Sequence, residues 1–168
     1  GAPLARARAA MVMVHGRGAT AQGILQMVPE FAQPDFYYAA PQAHSNTWYP
    51  WSFLEPQEKN EPGISSGLQL LDDLLKSVTA EGIPPEKVFL LGFSQGACLA
   101  SEYLARHPRR IGGLVILSGG LIGPSVSVEH YSGSVEDTPV FIGCSDFDSH
   151  IPQSRVDETE TVFEKLGG

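Results

Sequence analysis

The chain has 168 residues, 42% hydrophobic and 18% charged, with 18 glycines and 13 prolines; this suits one globular domain with many sharp connections and gives no sign of disorder. Eleven lysines and arginines against 19 acidic residues give a net charge of -8, which argues against nucleic acid or an anionic membrane surface as partner. Cys98 and Cys144 fall in segments that read as buried helix and strand, have no metal-ligand spacing, and suit a reducing compartment.

Residues 9–14 are a continuous apolar run, the form of a strand covered on both faces. Arg6 and Arg8 precede it, but the run is too short for a leader, so the segment reads as a central strand and the protein as cytoplasmic. His15-Gly16-Arg17-Gly18 makes a loop at the carboxyl end of that strand, the edge where open α/β sheets bind ligands. His15 itself is read as a structural residue holding the loop before it is read as a catalytic one. Residues 20–28 read as a short helix closed by Pro29.

A second apolar run, 36–40, leads to Pro41 and a loop rich in aromatics: Trp48, Tyr49, Trp51 and Phe53. Such a loop either packs on the body or walls a pocket. Residues 55–62 are a polar surface loop. Ile64, Leu68, Leu71, Leu75 and Val78 recur at helical spacing, and Gly82 with Pro84-Pro85 stops that helix.

Val88-Phe-Leu-Leu91 is the next strand, and it ends in Gly92-Phe93-Ser94-Gln95-Gly96 before helix-forming small residues that run toward His107-Pro108. A serine between glycines at a strand-to-helix turn is held out above the sheet edge on a strained backbone. It also stands where unpaired helix N–H groups favour developing negative charge. Residues 114–117 are the next buried strand and 139–143 the last clear one. The first delivers Ser118-Gly119-Gly120-Leu121-Ile122 to the same edge, and the second delivers Asp146 and Asp148. Val156, Thr159, Phe163 and Leu166 mark a closing amphipathic helix. The order strand, helix, strand predicts a mostly parallel sheet with helices on both faces in a single α/β domain, 1–168.

A hydroxyl is a weak nucleophile, so Ser94 needs an imidazole to take its proton and a carboxylate to orient that imidazole. In this architecture the order is serine, acid, histidine. With Val14-His15-Gly16-Arg17-Gly18, Gly92 to Ala97, Leu117-Ser118-Gly119 and Gly143 to Pro152 in place, the chain resembles the phospholipase/carboxylesterase branch of the α/β-hydrolase fold, which includes acyl-protein thioesterases. The resemblance implies Ser94 as nucleophile and Asp148, in Asp148-Ser149-His150-Ile151-Pro152, as the acid, with Asp146 its neighbour. It implies an oxyanion hole from the backbone N–H groups of Gln95 and Arg17, whose side chains would then be replaceable. It places the triad histidine in a segment after residue 168, beyond one further strand and before a last helix; none of His15, His44, His107, His130 and His150 matches it.

The expected activity is hydrolysis of carboxylic esters, short to medium acyl esters or lysophospholipids, through an acyl-enzyme. Trp48, Tyr49, Trp51, Phe53, Leu121 and Ile122 are the candidate walls for an apolar acyl or aryl group. An acyl-protein thioesterase is the alternative within the family, and a non-catalytic ligand-binding module the alternative outside it. No metal and no organic cofactor is called for. The expected partner is a small-molecule ester, with no nucleic acid and no stable membrane insertion, and a homodimer is one option for assembly.

Overall fold

The computed structural model describes residues 1–145 and 147–168. Five strands, β1 (Ala9–Val14), β2 (Phe36–Ala39), β3 (Val88–Phe93), β4 (Gly113–Leu117) and β5 (Val140–Gly143), form one sheet in the order β2-β1-β3-β4-β5. Every pairing is parallel, with Ala10 opposite Val88, Phe89 opposite Gly113 and Leu114 opposite Val140. All five carboxyl ends therefore open on one edge, and the loops carrying His15, Ser94, Ser118 and Asp148 meet there.

The helices are α1 (Ala21–Leu25), α2 (Val28–Phe31), α3 (Gly63–Ala80), α4 (Gln95–Arg106) and α5 (Gln153–Lys165). Strand alternation divides the core in two. Ala10, Val12, Val14, Leu90, Leu114 and Ile116 pack against α3, α4 and α5. Met11, Met13 and Leu91 pack with Ile24 and the half-buried Leu25, Val28 and Phe31 on the other face. Among the described residues, α1 and α2 are the helices on that second face. Among the described residues no helix is long and apolar enough to cross a membrane.

Two local expectations are corrected. Pro29 does not close a helix over 20–28; it opens α2, because a residue without an N–H fits the first turn, where that donor has no intrahelical partner. Cys144 is not inside a strand. It lies just past β5, half-buried, with its sulfur 3.8 Å from Asp148 Oδ2.

Candidate active site

The turn from β3 into α4 is set by what a Cβ atom would strike. One added at Gly92 would lie 2.6 Å from Ala97 N, and one at Gly96 would lie 2.5 Å from His15 O, so both positions admit only glycine without backbone movement. Between them Ser94 takes φ 52 and ψ -120, a left-handed conformation that costs about 1–3 kcal/mol and is held by Ser94 N–H donating to Leu117 O at 2.8 Å. The result is a half-buried serine at the N-terminus of a twelve-residue helix, with the Gly16 backbone against its Cβ.

The loop after β1 is fixed by His15, whose ring is fully buried. Its Nε2 accepts the Ala43 N–H at 3.1 Å, which leaves the proton on Nδ1 to be donated to Gly16 O at 2.8 Å. Trp48 Nε1 donates to His15 O at 2.8 Å, tying the aromatic loop to the same place. The backbone N–H groups of Arg17 and of Gln95, the first residue of α4, have no hydrogen-bond partner among the described residues. Both are donors with no assigned acceptor, Gln95 directly after Ser94 and Arg17 in the loop after β1.

The side chains of those two residues are not spare. The Arg17 guanidinium donates to Pro50 O at 2.9 Å, Trp51 O at 2.6 Å and Thr47 Oγ1 at 3.1 Å, and lies over the Tyr49 ring. Gln95 donates from Nε2 to Tyr49 O at 2.8 Å and accepts the Trp48 N–H at 2.9 Å. Both therefore hold the aromatic loop, a role the oxyanion-hole reading did not give their side chains. The buried Asn60 completes the hold, accepting the Trp51 N–H at 2.8 Å and donating to Ser52 O at 2.9 Å. Sequence gave no sign of these links, since the acceptors are backbone carbonyls more than 30 residues away from Arg17.

Ser94 opens into a cavity of about 480 Å³ walled by Tyr49, Trp51 and Phe53, with Arg17, Cys98 and His150 also facing it. Three expected wall residues lie elsewhere. Trp48 lines a separate hollow with His44 and Leu70, its Nε1 drawn to His15 O. Leu121 is fully buried in the core, and Ile122 borders a third hollow with Glu102 and Tyr131. They back the wall instead: Gly123 N–H donates to Phe53 O at 2.7 Å, Arg155 donates to Leu121 O at 2.7 Å, and the Arg155 guanidinium stacks on the Phe53 ring. Cys98 was missed, although four residues after Ser94 on a helix is the same face. Burial pushes its thiol up to about 11, so it stays neutral.

Asp148 sits half-buried past β5. Its Oδ1 accepts the backbone N–H groups of His150 at 2.8 Å and Ile151 at 3.0 Å. These donors, the His150 amide foremost, hold the carboxyl below the ordinary aspartate range. Asp146 lies outside the described residues. Of the other histidines, His44 and His130 line separate hollows and His107 caps the far end of α4. His150 is the one imidazole facing the Ser94 cavity among the described residues, because the chain wraps around the Asp148 carboxylate there and does not run extended. Its Nδ1 lies 3.0 Å from Ser149 Oγ.

A strained serine after β3, an unpartnered amide on the residue that follows it and a stabilised carboxylate past β5, two strands along the same edge, are a geometry suited to acyl transfer. The phospholipase/carboxylesterase family model matches residues 2–168. Acyl-protein thioesterase 1 of Saccharomyces cerevisiae is 30% identical over 165 residues, covering 87% of this chain and 73% of that protein. A probable carboxylesterase of Oryza sativa is 27% identical, covering 83% and 59%. The crystal structure of a phospholipase/carboxylesterase from Dyadobacter fermentans superimposes with a TM-score of 0.95 at 42% identity, over 99% of this chain and 80% of that one. With the family model matched across residues 2–168 and these relatives beside it, this chain belongs to the phospholipase/carboxylesterase family of α/β-hydrolases.

Proposed function

We propose that the protein hydrolyses carboxylic esters through an acyl-enzyme on Ser94. The observation that carries this reading is the Ser94 backbone, left-handed between two obligate glycines and opening on a cavity. Ser94 Oγ attacks the ester carbonyl carbon while an imidazole oriented by Asp148 takes its proton. The carbonyl oxygen, now an anion, is held by the Arg17 and Gln95 backbone N–H groups. Collapse of this intermediate breaks the bond to the leaving alcohol, which takes the proton from the imidazolium. Water then repeats the sequence on the acyl-enzyme and releases the acid.

A thioester substrate is the second reading, supported by the thioesterase names of several relatives. Both are tested with p-nitrophenyl esters of graded acyl length and the matching thioesters, on the full-length protein and its Ser94→Ala variant. The variant is expected to lose at least about a thousandfold in kcat/KM. Equal rates in the two proteins would refute the nucleophile assignment. Thioester kcat/KM above that of the matched esters would favour the second reading.

A further inference from the structure

Glu102 is a buried carboxylate that the ester chemistry does not use. It stands about two turns along α4 from Ser94 and is 1% exposed, and a carboxylate taken out of water is costly unless charged and hydrogen-bonding partners meet it. Here they do, in a closed ring. Glu102 Oε2 accepts the Ile122 N–H at 2.9 Å, and Oε1 accepts Arg106 Nε at 2.6 Å. Arg106 Nη2 donates to Gln57 Oε1 at 2.6 Å, and Gln57 Nε2 donates to Ile122 O at 3.0 Å. The Tyr131 hydroxyl donates to the same carboxylate at 3.2 Å. Both backbone groups of Ile122 are thus taken by side chains, one from α4 and one from the polar loop 55–62. An apolar residue at 102 would fill the space but could not hold the Ile122 N–H.

The next residue carries this hold to the site. Gly123 N–H donates to Phe53 O at 2.7 Å, and Phe53 walls the Ser94 cavity. We propose that Glu102 and Gln57 are positioning residues that fix Phe53 at the Ser94 cavity and so determine how well longer acyl chains bind. The proposal rests on the ester reading, in which the acyl chain lies in that cavity. An acetyl group, with one methyl beyond the carbonyl, has little to gain from the Phe53 wall. A longer chain packs on the ring and loses contacts when the ring moves.

Steady-state hydrolysis of p-nitrophenyl acetate, butanoate, hexanoate and octanoate by the full-length protein tests this. Gln57 is half-buried, so Gln57→Ala removes the bond to Ile122 O without opening the core. It should raise KM for the hexanoate and octanoate esters about 3- to 10-fold, with the acetate KM and every kcat changed less than about twofold. Glu102→Ala should act in the same direction, and Glu102→Gln, which keeps an oxygen for the Ile122 N–H, should recover most of the rise. In a Phe53→Ala background there is no ring left to place, and Gln57→Ala should add nothing to KM. KM values unchanged or raised equally across the series, or a Gln57→Ala effect of the same size without the Phe53 ring, would overturn the proposal. A protein that hydrolyses none of the four esters would refute the proposed function itself, and this proposal with it.

Discussion

Ser94 and Asp148 illustrate how much a single residue's surroundings decide. The place of Ser94 was legible because the flanking glycines are dictated by sterics: a Cβ at either position would run into backbone of α4 or of the β1 loop. Asp148 was singled out by the family resemblance of the segment 148–152; that its carboxylate gathers the His150 and Ile151 amides was not legible. Those donors favour the charged form, so the folded value lies below the unfolded one of about 3.9. A depressed carboxyl contributes stability that is fully present above about pH 4 and is lost as pH falls through the folded value. Asp148→Asn keeps an acceptor oxygen but not the charge. The difference in Tm between the two proteins should therefore be constant above about pH 5 and close below about pH 4. Thermal melts from pH 2.5 to 7 check this, and a gap that does not change with pH would show that the charge contributes nothing.

The aromatic loop, residues 47–53, is the element whose structure departed most from expectation. Trp48 and Tyr49 are equally apolar neighbours, and composition cannot say which faces the cavity and which the hollow behind it. Only the hydrogen bonds decide, with Trp48 Nε1 drawn to His15 O and Tyr49 O drawn to Gln95. The loop has neither helical nor strand hydrogen bonding of its own and is held by Arg17, Gln95 and Asn60. Losing the Arg17 fork frees Pro50 and Trp51, so Arg17→Ala should raise KM for the longer p-nitrophenyl esters roughly 3- to 10-fold. Arg17→Lys, with one compact head in place of a fork, should recover part of that rise. Steady-state kinetics across the acyl series reads both, and an unchanged KM would mean that the loop keeps its position without the guanidinium.

Across the whole molecule, the parallel order β2-β1-β3-β4-β5 brings the loops carrying His15, Ser94, Ser118 and Asp148 to one edge. That architecture was readable in advance from continuous apolar runs alternating with helix-period segments, because strands covered on both faces leave little else to read. What could not be read was the split of apolar residues between core and cavity: Leu121 and Ile122 suit either, and their burial follows from Arg155 and Glu102 reaching in from α5 and α4 to bond their backbone. The charge distribution is also a property of the whole fold, with an acidic chain closing around a cavity that carries Arg17 and His150.

Everything in this account depends on Ser94 being an activated nucleophile, and a fluorophosphonate reagent reports that directly, because only an activated hydroxyl displaces its fluoride. Intact mass and peptide mapping of the full-length protein should show one adduct per chain, on Ser94, and none after Ser94→Ala. An unmodified protein, or an adduct that survives the substitution, would contradict the account.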